Sequence, residues 1–149
     1  MTTTFLAPVR SGPLGLTVVA IGGIAWNVFG AVQFAGSVSA TEVSLVASGL
    51  TPQQAAVMLG YPAWMTLAFA VGVAGGLIGS IFLLLRHRLA RPVLAASLLA
   101  YIGLWIGDAV HGVFAALGSS QVIILTIVVA IAAALLVASL RQTGSPARA

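Results

Sequence analysis

Four apolar runs, each long enough to cross a lipid bilayer as a helix, constrain this chain more than any other feature. A spanning helix needs roughly 20 mostly apolar residues. The runs occupy residues 14–36, 63–85, 93–117 and 121–140, and the termini are 1–13 and 141–149. Only 5% of the 149 residues are charged, too few for an ordinary water-facing surface. The sequence therefore predicts an all-α integral membrane four-helix bundle that forms a single domain in the lipid bilayer.

The basic residues predict how the bundle is oriented. All six are arginines: Arg10 precedes the first run, Arg86, Arg88 and Arg91 lie in the connection 86–92, and Arg141 and Arg148 follow the fourth run. The segment 37–62 and the turn 118–120 contain none. Cytoplasmic connections of membrane proteins are enriched in arginine. The chain is therefore predicted to be a multi-pass inner-membrane protein with both termini in the cytoplasm. The high isoelectric point has the same origin and does not indicate nucleic-acid binding.

A signal peptide is the alternative interpretation of the N-terminal region. Arg10, the long apolar stretch and the small residues Val38-Ser39-Ala40 resemble such a peptide and its cleavage site. The stretch is longer than a usual signal-peptide core, and it contains Asn27 and Gln33. A first membrane span is the preferred interpretation. The fourth span is predicted to bury no polar side chain larger than Ser or Thr.

The segment 37–62 is predicted to contain one or two short interfacial helices on the outer side. Ser39-Ala40-Thr41-Glu42 has the spacing of a capping box, and Thr51-Pro52-Gln53-Gln54 repeats that spacing with Pro52 at the first helical position. Ser48-Gly49 would separate the two helices. A plain connector that follows the membrane interface is the alternative.

Small residues mark close contacts between helices in lipid, and the second span is rich in them. Gly72 and Gly76 form one GxxxG pair, and Gly75 and Gly79 form another. These four glycines are predicted to pack helices within the bundle. A homodimer seam is the alternative use of the same face.

Polar residues at membrane depth are energetically costly and often functional. Counted at about 1.5 Å per residue from the cytoplasmic ends of their spans, Asn27 and Asp108 come to one level, and Gln33 and His111 to the next. Asp108 and His111 are three residues apart, so they are neighbours on one helix surface and can pair. Together with nearby aromatic residues they suggest an outward-facing ligand pocket, whose hypothetical lining is Asn27, Gln33, Tyr61, Trp64, Tyr101, Trp105, Asp108 and His111. The alternative is structural: interfacial aromatic anchors and a mutually satisfied Asp–His pair.

Catalytic, metal and cofactor chemistry receive little support from the sequence. The absence of cysteine excludes disulfides and thiolate chemistry. One carboxylate and one imidazole are too few for a zinc site, and no glycine-rich phosphate loop follows a strand. No catalytic residue, metal or cofactor is therefore assigned.

Several short motifs resemble a known group of proteins. They are Trp26-Asn27-Val28-Phe29-Gly30, Leu50-Thr51-Pro52, Tyr61-Pro62-Ala63-Trp64, Gly75-Gly76-Leu77-Ile78-Gly79-Ser80 and Arg86-His87-Arg88. The chain is similar here to small, uncharacterised bacterial inner-membrane proteins with four helices, some of which carry the automatic label "sugar transporter". The resemblance implies a bacterial four-helix membrane protein. It supplies no functional residues that carry over, and so implies no substrate.

Three functions follow as hypotheses. The preferred one is a transporter-like protein that binds or passes a small ligand through the outward pocket. The first alternative is an accessory or scaffold subunit of a larger membrane complex, and the second is a membrane-embedded enzyme that uses Asp108 and His111.

Overall fold

Four long apolar helices dominate the computed structural model, which describes residues 13–142. They are α1 (Pro13–Val38), α4 (Ala63–Leu84), α5 (Ala90–Val110) and α7 (Ser119–Gln142), joined by the short helices α2 (Glu42–Ala47), α3 (Pro52–Leu59) and α6 (Val113–Leu117). Each long helix has the length and composition to cross a membrane, and residues 13–142 contain no strand. The all-helical class and the four candidate spans are confirmed. Predictions for Arg10, Arg148, the N-terminal segment and most of the C-terminal tail concern residues outside this range.

The bundle has two chemically different ends. The cap end carries α2, α3 and α6, and the basic end carries the connection with Arg86, Arg88 and Arg91. Arg141, in the last turn of α7, also lies at the basic end.

The third span differs from the continuous helix predicted over 93–117. It begins at Ala90 and ends at Val110, and α6 follows as a separate helix. Gly112 breaks the helix because it adopts a left-handed conformation, with φ at 74°. Pro92 occupies the third helical position instead of the first, which is tolerated because the first-turn N–H groups need no partner within the helix.

One of the two capping boxes forms where the sequence places it. The Thr51 side chain accepts from the Gln54 N–H at 3.2 Å, and Gln54 Oε1 accepts from the Thr51 N–H at 2.9 Å. The box predicted from Ser39 to Glu42 is wrong, since Thr41 caps α2 with Ser44 as its reciprocal partner. Ser39 lies two residues before the N-cap position, and its hydroxyl donates to Ala35 O, at the C-terminal end of α1.

The short helices close the cap end of the bundle. Gln54 Nε2 donates to Ala116 O at 3.0 Å, which ties α3 to α6, and Ala55 is fully buried. Helix α2 contacts α3 and contains no buried residue. The segment between the first two spans therefore holds one helix that packs on the bundle and one that lies on its surface.

Helix α4 packs between α1 and α5, and α7 packs mainly on α5. Three clusters of buried side chains stack along the length of α4. From the basic end to the cap end, their principal members are Leu83, Leu94 and Leu135, then Val73, Tyr101 and Ala132, then Met65, Leu104 and Leu125. Each cluster draws on α4, α5 and α7, so the core follows the whole length of the bundle.

The glycines of α4 lie where neighbouring helices approach most closely. A Cβ atom on Gly76 would overlap the Asn27 side chain of α1. On the other side, a Cβ on Gly72 would lie 2.6 Å from the Tyr101 ring, and one on Gly79 would lie 2.6 Å from Leu94. Gly75 faces Ser97, with a corresponding distance of 3.1 Å. The glycine-rich face therefore packs inside the bundle and is not available to a second molecule.

A methyl group at Gly72 should destabilise the protein. Because it would overlap the rigid Tyr101 ring, we expect Gly72→Ala to lower the free energy of unfolding by about 1–3 kcal/mol. The measurement is an unfolding titration with SDS in mixed micelles, followed by circular dichroism.

Gly103→Ala is the matched control, because a Cβ at Gly103 meets no atom within 4 Å. It should be neutral or slightly stabilising, since Ala favours helix over Gly. Equal stability of the two variants would contradict the close contact at Gly72.

Candidate functional site

The Asp108 carboxylate is the centre of a buried polar cluster near the cap end. Asp108 is 1% exposed, and both of its oxygens are hydrogen-bonded. The Tyr61 hydroxyl donates to Oδ1 at 3.1 Å, and Gln121 Nε2 donates to Oδ2 at 2.9 Å. Tyr61 precedes α4 and Gln121 lies in the first turn of α7, so the cluster joins three parts of the chain. We call these three residues the Asp108 clasp.

The donors of the clasp carry no charge. Burial, followed by the charge and hydrogen bond of Asp108, raises the pKa of the Tyr61 hydroxyl above its ordinary value of 10.0. Tyr61 therefore keeps its proton near neutral pH and remains a donor to the carboxylate. Within residues 13–142, no arginine or histidine forms an ion pair with Asp108.

His111 does not pair with Asp108, contrary to the interpretation of their spacing. His111 is the C-cap residue of α5; its N–H bonds to Gly107 O, and its side chain is exposed. Its ring contacts Trp64, with the centroids 6.0 Å apart. The expected catalytic or mutually satisfied Asp–His pair is therefore absent from the described structure.

Asn27 and Asp108 lie at different depths, also contrary to the sequence-based estimate. Asn27 packs on Gly76 of α4, and the adjacent Gly75 faces Ser97 of α5, so Asn27 lies close to the level of Ser97. Asp108 lies about 16 Å nearer the cap end, at about 1.5 Å per residue. Counting failed because the counted starts of the two spans lie at different levels: Leu14 is about 14 Å nearer the basic end than Val93.

The surroundings of Asn27 are closed. Its Nδ2 donates to Gly23 O at 2.8 Å, one turn earlier in α1, and the residue is 2% exposed. The space between Asn27, Ser97 and Tyr101 holds no volume that a water molecule could occupy. Asn27 and Tyr101 therefore contribute to packing in the middle of the bundle.

The eight hypothetical lining residues do not converge on one pocket. Tyr61, Trp64, Asp108 and His111 lie near the cap end, whereas Asn27 and Tyr101 lie deeper. Gln33 is exposed on α1, and Trp105 faces a separate groove. The structure thus places half of the set together and distributes the rest over three other locations.

A lateral groove lies between α5 and α7. It encloses about 280 Å³ and is lined by Ile102, Trp105, Thr126 and Val129. Ile102 and Thr126 are exposed, so the groove opens on the surface that faces lipid in a membrane-spanning bundle. Trp105 Nε1 donates to Thr126 Oγ1 at 3.1 Å, and the Trp105 ring packs edge-on against Phe114 of α6. We call this feature the α5–α7 groove.

The polar contacts that three residues make in these sites were not identified from the sequence. Gln121 bonds Asp108, Thr126 bonds Trp105, and Gln54 bonds α6. The fourth span was predicted to bury no large polar side chain, yet Gln121 is half-buried in its first turn. The available signal was the short connection from Asp108 to Gln121, which brings a carboxylate and an amide to the same end of adjacent helices.

Metal binding and relationships to known proteins offer no further guidance. No group of three or more His, Asp or Glu side chains suited to a metal ion occurs within residues 13–142. Comparisons with protein-family models, curated proteins and solved structures found no match to the chain. The function is therefore inferred from the geometry alone.

Disrupting the clasp should destabilise the bundle. Asp108→Asn replaces one acceptor oxygen of the carboxylate with an NH2 group. This group then faces either the Tyr61 hydroxyl or the Gln121 amide, which donates to that oxygen in the wild type. We expect a loss of about 1–3 kcal/mol in the free energy of unfolding. A double-mutant cycle that combines Asp108→Asn with Tyr61→Phe measures the coupling energy between the two residues. The losses of unfolding free energy in the two single variants should not add in the double variant.

His111→Ala is the control for the clasp, because His111 lies outside it. His111→Ala should lower the free energy of unfolding by less than Asp108→Asn does, and the two losses should add in the double variant. Strong coupling between His111 and Asp108 would contradict the observed hydrogen-bond pattern.

Proposed function

We propose that this protein binds a small amphiphilic molecule from the bilayer in the α5–α7 groove. The observation that carries the proposal is a groove of about 280 Å³ between two spanning helices, with a Trp–Thr hydrogen bond in its wall. This replaces the outward-facing pocket as the location of the ligand. It retains the hypothesis that the protein acts on a small molecule.

The walls of the groove favour an apolar chain. Ile102 and Val129 offer aliphatic surface, and the Trp105 indole offers a flat aromatic surface. The volume lies near the lower limit of pockets for whole small molecules, about 300 Å³, so a chain segment fits better than a bulky ring system. Access from the membrane side suits a ligand that is already dissolved in lipid.

Thr126 supplies the polar element of the proposed site. Its oxygen accepts from Trp105, and its own hydroxyl hydrogen has no acceptor among residues 13–142. A hydroxyl can donate once and accept twice. The ligand is therefore expected to carry an acceptor oxygen, such as an ester, carbonyl or hydroxyl group, beside its apolar chain.

Removing the Thr126 hydroxyl should weaken binding. The variant Trp26→Phe/Trp64→Phe leaves Trp105 as the single tryptophan, and a brominated monoacylglycerol serves as quencher in lipid nanodiscs. Saturable quenching of Trp105 is expected. Thr126→Val should raise the dissociation constant about tenfold, which corresponds to about 1.4 kcal/mol for one lost hydrogen bond.

Thr126→Ser is the matched control, because it keeps the hydroxyl and should keep most of the affinity. Quenching that rises linearly without saturation would overturn the proposed site. Equal saturation curves for the Val and Ser variants would overturn the role of the hydroxyl.

We also propose that the protein lies in a bacterial inner membrane with both termini in the cytoplasm. Arg86, Arg88, Arg91 and Arg141 support this orientation, since all four lie at the basic end. No arginine or lysine occurs at the cap end, where Glu42 lies. The positive-inside rule then assigns the basic end to the cytoplasm.

Cysteine labelling tests the orientation directly, because the native chain contains no cysteine. Gln53 is an exposed residue of α3 at the cap end, and Leu89 is an exposed residue of the connection at the basic end. In intact spheroplasts, a membrane-impermeant maleimide should label Gln53→Cys, whereas Leu89→Cys should react only after lysis. The opposite pattern would contradict the proposed orientation.

A further inference from the structure

Gln33 is a polar residue on the exposed face of a membrane-spanning helix. The contacts of its neighbours on α1 with α4 show how deep it lies in the bundle. Gly30 faces Val73, and the Phe34 ring contacts the Phe69 ring, with the centroids 5.3 Å apart. Gln33 therefore lies near the level of Ala70, about 10 Å below the first residue of α4 at the cap end. At that depth it is surrounded by hydrocarbon if α4 spans the membrane.

The Gln33 amide has no hydrogen-bond partner among the described residues. A primary amide carries two N–H donors and an acceptor oxygen, and leaving them unpaired in lipid is costly. The side chain is too short to reach the interface from about 10 Å below it. A partner outside the described residues is therefore required to satisfy the amide.

Gln33 belongs to a regular seam on α1. Val19, Gly22, Trp26, Phe29, Gln33 and Gly36 follow one another at alternating steps of three and four residues. This is the spacing of positions a and d in a coiled coil. Phe29 is 55% exposed, and a Cβ on Gly22 or Gly36 would meet no atom of residues 13–142 within 4 Å. Unlike the glycines of α4, these two lie beside open space.

We propose that α1 pairs with α1 of a second copy of this chain, with Gln33 bonded to its counterpart in the cap-end half of the contact. Two copies inserted with the same orientation carry α1 in parallel, at the same depth. A two-fold axis along the membrane normal then brings each seam residue opposite itself. An amide is self-complementary, because the oxygen of each copy accepts from the N–H of the other.

The rest of the seam suits this arrangement. Gly22 and Gly36 allow the two backbones to approach closely, and small interfacial residues are the common means of helix association in lipid. Phe29 supplies contact area between them. A single polar residue at an a position fixes register in coiled coils, and Gln33 would do so here. The α5–α7 groove takes no part, so the dimer does not depend on ligand binding.

Single-molecule photobleaching of labelled protein in liposomes tests the dimer. The wild type should show two-step bleaching that increases with the protein-to-lipid ratio. Gln33→Leu should raise the dissociation constant on the order of tenfold, because two interhelical hydrogen bonds are lost. Val28→Leu is the matched control, since Val28 is 49% exposed but lies outside the seam, and it should leave the dissociation constant unchanged.

Disulfide cross-linking gives the geometry of the contact. Under oxidation, Gly36→Cys on the seam should form a covalent dimer, whereas Ala35→Cys, exposed but outside the seam, should not. One-step bleaching at every protein-to-lipid ratio would overturn the proposal, as would equal cross-linking at both positions. Loss of a different membrane protein from Gln33→Leu preparations, with no self-association of the wild type, would assign the seam to that partner instead.

Discussion

The close approach of α1 and α5 to α4 is the constraint on which the rest of the structure depends. Asn27 packs directly on Gly76 from one side, and the Tyr101 ring covers Gly72 from the other. In lipid no hydrophobic force draws helices together, so such contacts must supply the attraction through van der Waals packing and hydrogen bonds. Ser97 provides one such hydrogen bond, since its hydroxyl donates to Gly72 O at 2.6 Å. The bond can form because Gly72 has no side chain to separate the two helices. These contacts fix how α1 and α5 are aligned along α4. That alignment sets the depth at which the other polar residues of these helices lie.

The same register explains why the polar residues serve separate purposes. Asn27 is held in the middle of the bundle, where its amide bonds back to its own helix. Asp108 lies near the cap end, where the loop before α4 and the start of α7 can each contribute a donor. A buried carboxylate with two neutral donors joins α5 to the start of α7 and to the loop before α4. The clasp therefore acts as a structural closure.

Sequence reasoning predicted the elements of this fold better than the relations between them. Hydropathy and length identified four spans, and the Thr51 box was identifiable because its two hydrogen bonds lie within four residues. The partners of Asp108 were not identifiable in the same way, since Tyr61 is 47 residues distant along the chain. Depth counting failed because helices can extend beyond the hydrocarbon, so span ends defined by composition share no common level. Gly112 lies within the third apolar run of the sequence, but only its left-handed backbone conformation shows that the helix breaks there.

Hydrogen-bonding capacity left unused at membrane depth distinguishes the two proposed binding surfaces from the packing surfaces of this bundle. Ser80 Oγ has no partner, but Ser80 is fully buried against Gly23 and Leu135, so no outside molecule can reach it. Gln33 and Thr126 differ because both residues are exposed. They also differ from each other in shape: Gln33 lies on a convex helix seam, which suits another helix, whereas Thr126 lies in a concave groove, which suits a narrow chain. A four-helix bundle can therefore present two different recognition surfaces to lipid while its interior remains closed.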